Sequence, residues 1–328
     1  MTGHPIAIDL SDVQRAADAV ARVATRTPVV RSHGLSTAGR SVWLKLENLQ
    51  VTGSFKVRGA AARIAALDHA ERSRGIVTCS SGNHGRAVSY VAEQFGISAT
   101  VCVPEWVDPS KLRAIQRHGA ETVVHGTTYD EAEARSREIQ HERGLVYVHP
   151  FDDRRVIAGQ GTIGLELFDQ LDSIDTVVVP LSGGGLISGV AVALKALRPG
   201  VRVIGASAAN ASVMYQSLKA GAPQAFPEED TVANALAGGI GPDNRFSFSL
   251  VRDLVDDHVL VSEPEIREAM RFAVVEHGVI AEGGGVVALA AALCGRVPDR
   301  GGQGGGNTVL IVSGGNIDPE TLAAVLGD

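Results

Sequence analysis

The chain alternates short, uniformly apolar runs with longer stretches whose apolar positions recur every three to four residues. Ile76-Val77-Thr78-Cys79, Ala99-Thr100-Val101-Cys102-Val103, Thr122-Val123-Val124, Thr176-Val177-Val178-Val179, Val201-Arg202-Val203-Ile204 and Thr308-Val309-Leu310-Ile311-Val312 read as strands. Val42 to Glu47 is a further strand-like run, and Ala87–Phe95, Lys111–His118, Tyr129–Arg143, Ile187 to about Leu197 and Val286–Leu293 carry helical spacing. Strands that are apolar throughout and followed by helices predict an α/β fold with parallel sheets covered on both faces. In such sheets ligands bind beyond the carboxyl ends of the strands, and that is where the glycine-rich turns fall.

Bulk properties narrow the class. With 328 residues the chain suits one large domain or two lobes around a sizeable core. Its 38 glycines and only 4% aromatic residues fit aliphatic strands joined by many tight turns. A net charge of −7 argues against a nucleic-acid or anionic-membrane surface. No apolar run approaches the roughly 20 residues that span a bilayer. Met1-Thr2-Gly3-His4-Pro5 lacks the start of a signal peptide, so a cytoplasmic setting is expected. Cys79, Cys102 and Cys294 are far apart, form no CxxC pair, and read as small buried apolar residues in a reducing compartment. His84, His125 and His149 have no metal-ligand spacing, so no metal site is expected from them. Asp256-Asp257 reads as a solvated or salt-bridged helix end, and Gly301 to Gly306 as a flexible surface loop.

Candidate chemistry concentrates on one lysine and four turns. Lys56, in Thr52-Gly53-Ser54-Phe55-Lys56-Val57-Arg58-Gly59, follows an aromatic residue and lies between glycines. Burial there would lower its pKa and make its amine a usable nucleophile or base, although most lysines are solvated. Ser80-Ser81-Gly82-Asn83-His84-Gly85 joins a strand to a helix and offers backbone N–H groups to a small carboxylate; alone it reads first as an ordinary capped turn. Ser182-Gly183-Gly184-Gly185-Leu186 opens another helix. It matches neither a Walker A loop nor GxGxxG, so a monophosphate is the better ligand. Ser313-Gly314-Gly315-Asn316 ends the last strand with a neutral hydroxyl. Glu282-Gly283-Gly284-Gly285 precedes a helix, its acid either capping that helix or facing a cofactor.

Taken in order, these motifs resemble the fold-type II pyridoxal-phosphate enzymes, and most nearly the serine/threonine dehydratase (threonine ammonia-lyase) and serine racemase family. Arg26-Thr27-Pro28, Lys45-Leu46-Glu47, the lysine motif through Ala60, and Val156-Ile157-Ala158-Gly159-Gln160-Gly161-Thr162-Ile163 through Glu166 extend the likeness over nearly the whole chain. Gly238-Gly239-Ile240-Gly241 through Asp257 resembles the dehydratase branch associated with hydroxyectoine utilisation. The resemblance implies a tryptophan-synthase-β-like fold of two lobes, each with a twisted, mainly parallel sheet flanked by helices. Residues 1–50 and 146–328 would form the larger, cofactor-binding lobe and 51–145 an inserted smaller lobe with the substrate-carboxylate loop.

It also implies roles. Lys56 would be the Schiff-base lysine and the α-proton base, with Phe55 packed on the ring. Asn83 would hydrogen-bond the phenolic oxygen. Ser182, Gly183, Gly184, Gly185 and Leu186 would hold the phosphate, Ser313 would face the pyridine nitrogen, and Glu282 would join the cofactor site. Ser81, Gly82, Asn83 and His84 would hold the substrate carboxylate. A neutral Ser313 does not demand a protonated ring, which favours prompt loss of a β-leaving group over transamination.

The implied reaction is dehydration and deamination of a small β-hydroxy amino acid, such as L-threonine or L-serine, to a 2-oxo acid and ammonia. Serine racemisation, with Ser81 reprotonating Cα from the face opposite Lys56, is the alternative, as is a dehydratase of a hydroxyectoine-derived compound. A phosphate- or nucleotide-binding protein without catalysis would leave Lys56 unexplained. A homodimer is expected by resemblance, with no nucleic-acid or membrane partner. Two departures stand out. Ser207 and Val213 occupy positions where many relatives carry cation-binding carboxylates, so that site is expected to be absent or much weakened. The chain also ends soon after Ser313, so feedback inhibition of the biosynthetic threonine-deaminase kind is not expected.

Overall fold

The computed structural model describes residues 8–227, 229–298 and 306–327. Among them ten strands run in chain order as β1 (Val29–Arg31), β2 (Ser41–Leu46), β3 (Ile76–Cys79), β4 (Ala99–Val103), β5 (Glu121–Val124), β6 (Val146–Tyr147), β7 (Thr176–Pro180), β8 (Arg202–Ala208), β9 (Asp257–Val261) and β10 (Asn307–Val312). They form a six-stranded sheet ordered β1-β2-β10-β7-β8-β9 and a four-stranded sheet ordered β5-β4-β3-β6. Every pairing is parallel except that of β1 with β2.

The two-residue period of a strand explains the uniformly apolar runs. Val177 and Val179 pack into one core with Val203, Val309, Ile311 and the helix Gly185–Leu197, whereas Val178 enters the opposite core with Leu44, Ile204, Leu310 and the helix Val287–Leu293. Covered on both faces, each position gains from an apolar side chain, roughly 1.5–3 kcal/mol for a Val or Ile taken fully out of water. The smaller sheet repeats the device: Ile76, Val101 and Val103 lie in one core, and Val77, Cys79 and Cys102 in another.

Several local expectations change. The strand beginning near Val201 continues through Ala208 because it pairs with β9 in register from Ile204↔Asp257 to Ala208↔Val261. Ser207 therefore lies inside a strand, and its hydroxyl donates to Leu181 O (2.6 Å). Asp256 is salt-bridged, accepting from Lys195 Nζ (2.6 Å), but Asp257 opens β9 instead of ending a helix. Cys79 and Cys102 are buried, while Cys294, just past the end of its helix, is exposed. Met1 to Pro5 and most of the Gly301–Gly306 stretch lie outside the described residues.

Candidate active site

The carboxyl ends of β2, β3, β7 and β10 deliver the lysine segment and three of the glycine-rich turns; the fourth, Glu282–Gly285, departs from the expectation and follows the helix Glu263–His277 instead of a strand. Lys56 is the first residue of the helix Lys56–Ala65. The segment before it is stitched to the last turn: Ser54 bridges Gly314, Phe55 N donates to Ser313 O (3.1 Å), and Gly315 N donates to Gly53 O (2.9 Å). Gly53 has φ +75°, and a Cβ there would strike the Asn316 side chain, 2.8 Å from its Cγ. The reason only glycine fits is thus both conformational and steric.

The same helix is anchored by a buried ion network. Arg58 makes a bidentate pair with Glu47 (both contacts 2.8 Å) and reaches Glu166 Oε1 (2.6 Å), while Lys45 Nζ bonds Glu166 and Thr27 O (2.9 Å). Arg58, Glu47 and Lys45 are fully buried. Burial opposes the charge on Arg58, but Glu47 and Glu166 outweigh it and hold the guanidinium cationic. Burial likewise works against ionised Glu47, and Arg58 reverses the balance and lowers its pKa. Thr27, Lys45, Glu47, Arg58 and Glu166 are thus one device that fixes Lys56 against β2 and the helix Arg154–Gln170.

Lys56 Nζ donates to Pro150 O (2.8 Å) and lies 5.3 Å from the centre of the Phe55 ring. Burial lowers its pKa to about 8, against the opposing pull of Glu282. Burial pushes Glu282 up to about 7 despite the hydrogen bond from Asn83 Nδ2 (2.6 Å) and the charges of Lys111 and Lys56. His84 is buried, donates from Nε2 to Val148 O (3.0 Å), and is driven down to about 3 by burial and then by Lys56, so it stays neutral.

The structure brings the turns together around this amine. The helix Asn83–Phe95 starts at the Ser81–Asn83 turn, and the N–H groups of Asn83, His84 and Gly85 have no protein acceptor among the described residues. The Ser81 and Ser313 hydroxyls likewise make no hydrogen bond to protein among the described residues. In the triple-glycine turn the N–H groups of Gly183, Gly184, Gly185, Leu186 and Ile187 are all free of protein acceptors among the described residues, although Gly184 through Ile187 are buried. Gly184 has φ +84°, and a Cβ on Gly183 would run into the Phe151 ring at 2.5 Å. Five donors, four of them on buried residues, at the N-terminus of a 13-residue helix are unsatisfied without an anion. A phosphate fits this cradle, a reactive amine lies in the same cleft, and Ser313 supplies a free neutral hydroxyl, so the residues present suit pyridoxal phosphate. The Ser182 hydroxyl is engaged elsewhere, donating to Leu236 O (2.7 Å). Among the described residues no group of three or more His, Cys, Asp or Glu side chains is placed to hold a metal.

Three features escaped the sequence reading. Pro150 supplies the acceptor for Lys56, and Phe151 walls the glycine turn; neither carries a sequence signal. Asn316, read only as part of a turn, donates to Asn83 Oδ1 (2.6 Å) and to Thr52 O (2.9 Å).

Comparison with known proteins agrees with this geometry. Residues 20–314 match the family described as pyridoxal-phosphate dependent enzyme. The chain is 41% identical over 320 residues to the L-threonine ammonia-lyase of Thermotoga maritima, covering 97% of this chain and 78% of that one. It is 40% identical over 324 residues to the catabolic L-threonine dehydratase of Escherichia coli strain K12, covering 98% and 97%. The structure of maize serine racemase superposes with a TM-score of 0.91 at 36% identity, covering 98% and 97% of the two chains. With the amine, the anion cradle and this extent of likeness in agreement, the chain belongs to the pyridoxal-phosphate dependent enzyme family, with the fold-type II architecture that the sequence resemblance implied.

Proposed function

We propose that the protein is an ammonia-lyase that dehydrates and deaminates a small β-hydroxy amino acid of the L-threonine or L-serine class. The observation that carries the reading is Lys56: a largely buried amine lowered to about 8, set beside an unfilled anion cradle. The relatives named as threonine ammonia-lyase and threonine dehydratase support the substrate class.

Gly183 to Ile187 would hold the cofactor phosphate through backbone N–H groups. Phe55 would pack on the ring, Asn83 would donate to the phenolic oxygen, and the Ser313 hydroxyl would meet the ring nitrogen. When bound, pyridoxal phosphate supplies the electron sink that acidifies the substrate Cα–H. The free N–H groups of Asn83, His84 and Gly85, with the Ser81 hydroxyl, hold the substrate carboxylate at the helix N-terminus. Neutral His84 adds no competing charge. Lys56 Nζ takes the α-proton; an amine near 8 is neutral in roughly a fifth of molecules at pH 7.4, against roughly one in a thousand for a lysine near 10.5. The β-hydroxyl takes up a proton and leaves as water; the released enamine tautomerises to an imine, which takes up one water to give the 2-oxo acid and ammonia.

Racemisation is the second reading, favoured by the close superposition on a serine racemase and by the free Ser81 hydroxyl. We further propose two lobes following the two sheets, with β6 belonging to the smaller one, a homodimer and a cytoplasmic setting. The test is a panel of L-threonine, L-serine, 3-hydroxyaspartate, phenylserine and hydroxyectoine-derived amino acids, assayed for 2-oxo acid and ammonia, with chiral analysis of the remaining serine. Release of both products from at least one β-hydroxy amino acid is expected. Racemised serine without ammonia would favour the second reading, and inertness toward the whole panel would refute the lyase.

A further inference from the structure

A hydrogen-bonded line runs inward from the partly buried Arg86. Its Nη1 donates to Asn316 Oδ1 (2.6 Å), Asn316 Nδ2 donates to Asn83 Oδ1 (2.6 Å), and Asn83 Nδ2 donates to Glu282 Oε1 (2.6 Å). Direction along such a line is normally ambiguous, because an amide can turn over and exchange donor for acceptor. Here it is not. A guanidinium only donates, so it requires Asn316 to present Oδ1. The carbonyl of Thr52 only accepts, so it requires the other end of Asn316 to be Nδ2, at 2.9 Å. With Asn316 pinned from both sides, the atom of Asn83 that meets it must be the acceptor Oδ1. Asn83 Nδ2 is then left on the side of Glu282 and Lys56. That amide nitrogen carries two hydrogens, and Glu282 takes one.

We propose that Asn316, held by Arg86 and Thr52 O, is a positioning residue that sets the amide polarity of Asn83, so that Asn83 offers the cleft a donor and not a carbonyl. The inference deepens the proposed function and rests on it, since the donor matters because an anionic ring oxygen of the cofactor is its intended acceptor. Gly53 belongs to the same device, because a side chain there would displace Asn316.

The inversion variant is Asn316→Asp, which keeps the shape and the pairing with Arg86 but has no donor for Asn83 Oδ1, so the Asn83 amide turns over. Equilibrium dialysis of the cofactor-loaded full chain gives the dissociation constant for pyridoxal phosphate in wild type, N316D, Asn83→Ala and the double variant. N316D is expected to weaken binding at least about tenfold, equivalent to about 1.4 kcal/mol. In the Asn83→Ala background the same change is expected to cost less than about twofold, because the effect passes through Asn83. Equal weakening in both backgrounds would mean that the new carboxylate acts directly, and would overturn the proposal. No weakening in either background would overturn it as well. Should N316D fail to fold, judged by thermal melting, Arg86→Met in the same cycle removes one of the two pins; about threefold weaker binding only when Asn83 is present supports the proposal, and independence from Asn83 refutes it. A wild-type chain that binds no pyridoxal phosphate would instead refute the proposed function, and this inference with it.

Discussion

Replacing the central lysine should make the cofactor-free protein more stable, not less. Lys56 has its pKa lowered from 10.5 to about 8 by burial. At about 1.4 kcal/mol per tenfold change in proton affinity, holding its ammonium in the folded chain costs about 3 kcal/mol. Water reaching the partly exposed side chain screens some of this, so about 2 kcal/mol is the working figure. Lys56→Met removes that cost and loses the hydrogen bond to Pro150 O, which is worth about 1 kcal/mol. The expected net gain at pH 7 is therefore about 1 kcal/mol. The sign with pH follows from linkage. Between about 8 and 10.5 the unfolded chain holds more protons at this site than the folded one, so wild-type stability rises with pH across that window. The advantage of Lys56→Met should accordingly shrink to about zero near pH 10 and reverse above about 10.5, where only the lost hydrogen bond remains. Urea unfolding of both cofactor-free proteins at pH 7 and pH 10 reads this directly. A variant less stable than wild type at pH 7, or a difference between the two that does not change with pH, would refute the reasoning.

Other substitutions probe the remaining parts of the site. Arg58→Met leaves Glu47 buried without its cation and should destabilise the fold by about 3–5 kcal/mol, read as a lower urea midpoint; replacing Arg58 and Glu47 together should recover part of the loss. Gly183→Ala drives a methyl into the Phe151 ring and should weaken pyridoxal-phosphate binding more than about tenfold (about 1.4 kcal/mol) in a dialysis titration, while the clash itself should lower the stability of the cofactor-free chain by about 1–3 kcal/mol, read as a lower melting temperature. Glu282→Gln removes a negative neighbour that favours the Lys56 ammonium, so the pH midpoint for cofactor uptake by the cofactor-free protein should fall below its wild-type value near 8; an upward shift would contradict the assignment.

The fold class and the cleft were legible because both depend on local rules. Apolar runs such as Val177 to Val179 announce a strand covered on two faces, and Tyr129–Arg143 appears as the helix its pattern predicts, with Thr128 and Glu131 forming a capping box. The glycine turns were readable because a positive φ or a close contact excludes other residues, as at Gly53 and Gly184. What was not legible depends on partners distant in sequence. β9 is a strand because β8 lies beside it, in a segment where every residue but Val261 is only partly buried. Lys45, Glu47, Arg58 and Glu166 stood out as motif residues, but their shared network across about 120 positions follows only from the packing of two helices on β2. Pro150 acts through a backbone carbonyl, which no side chain advertises. The Asn83 amide takes its direction from Arg86, Asn316 and Thr52, three separate segments, so its polarity is a property of the fold.

The central claim is that Lys56, and no other amine, is the attachment point for pyridoxal phosphate. The direct measurement is borohydride reduction of the cofactor-loaded protein, followed by proteolysis and mass spectrometry of the peptides. The account predicts a phosphopyridoxyl group on the peptide containing Lys56 and loss of the label in Lys56→Met. A stable label on a different lysine, or none on a protein saturated with cofactor, would contradict it.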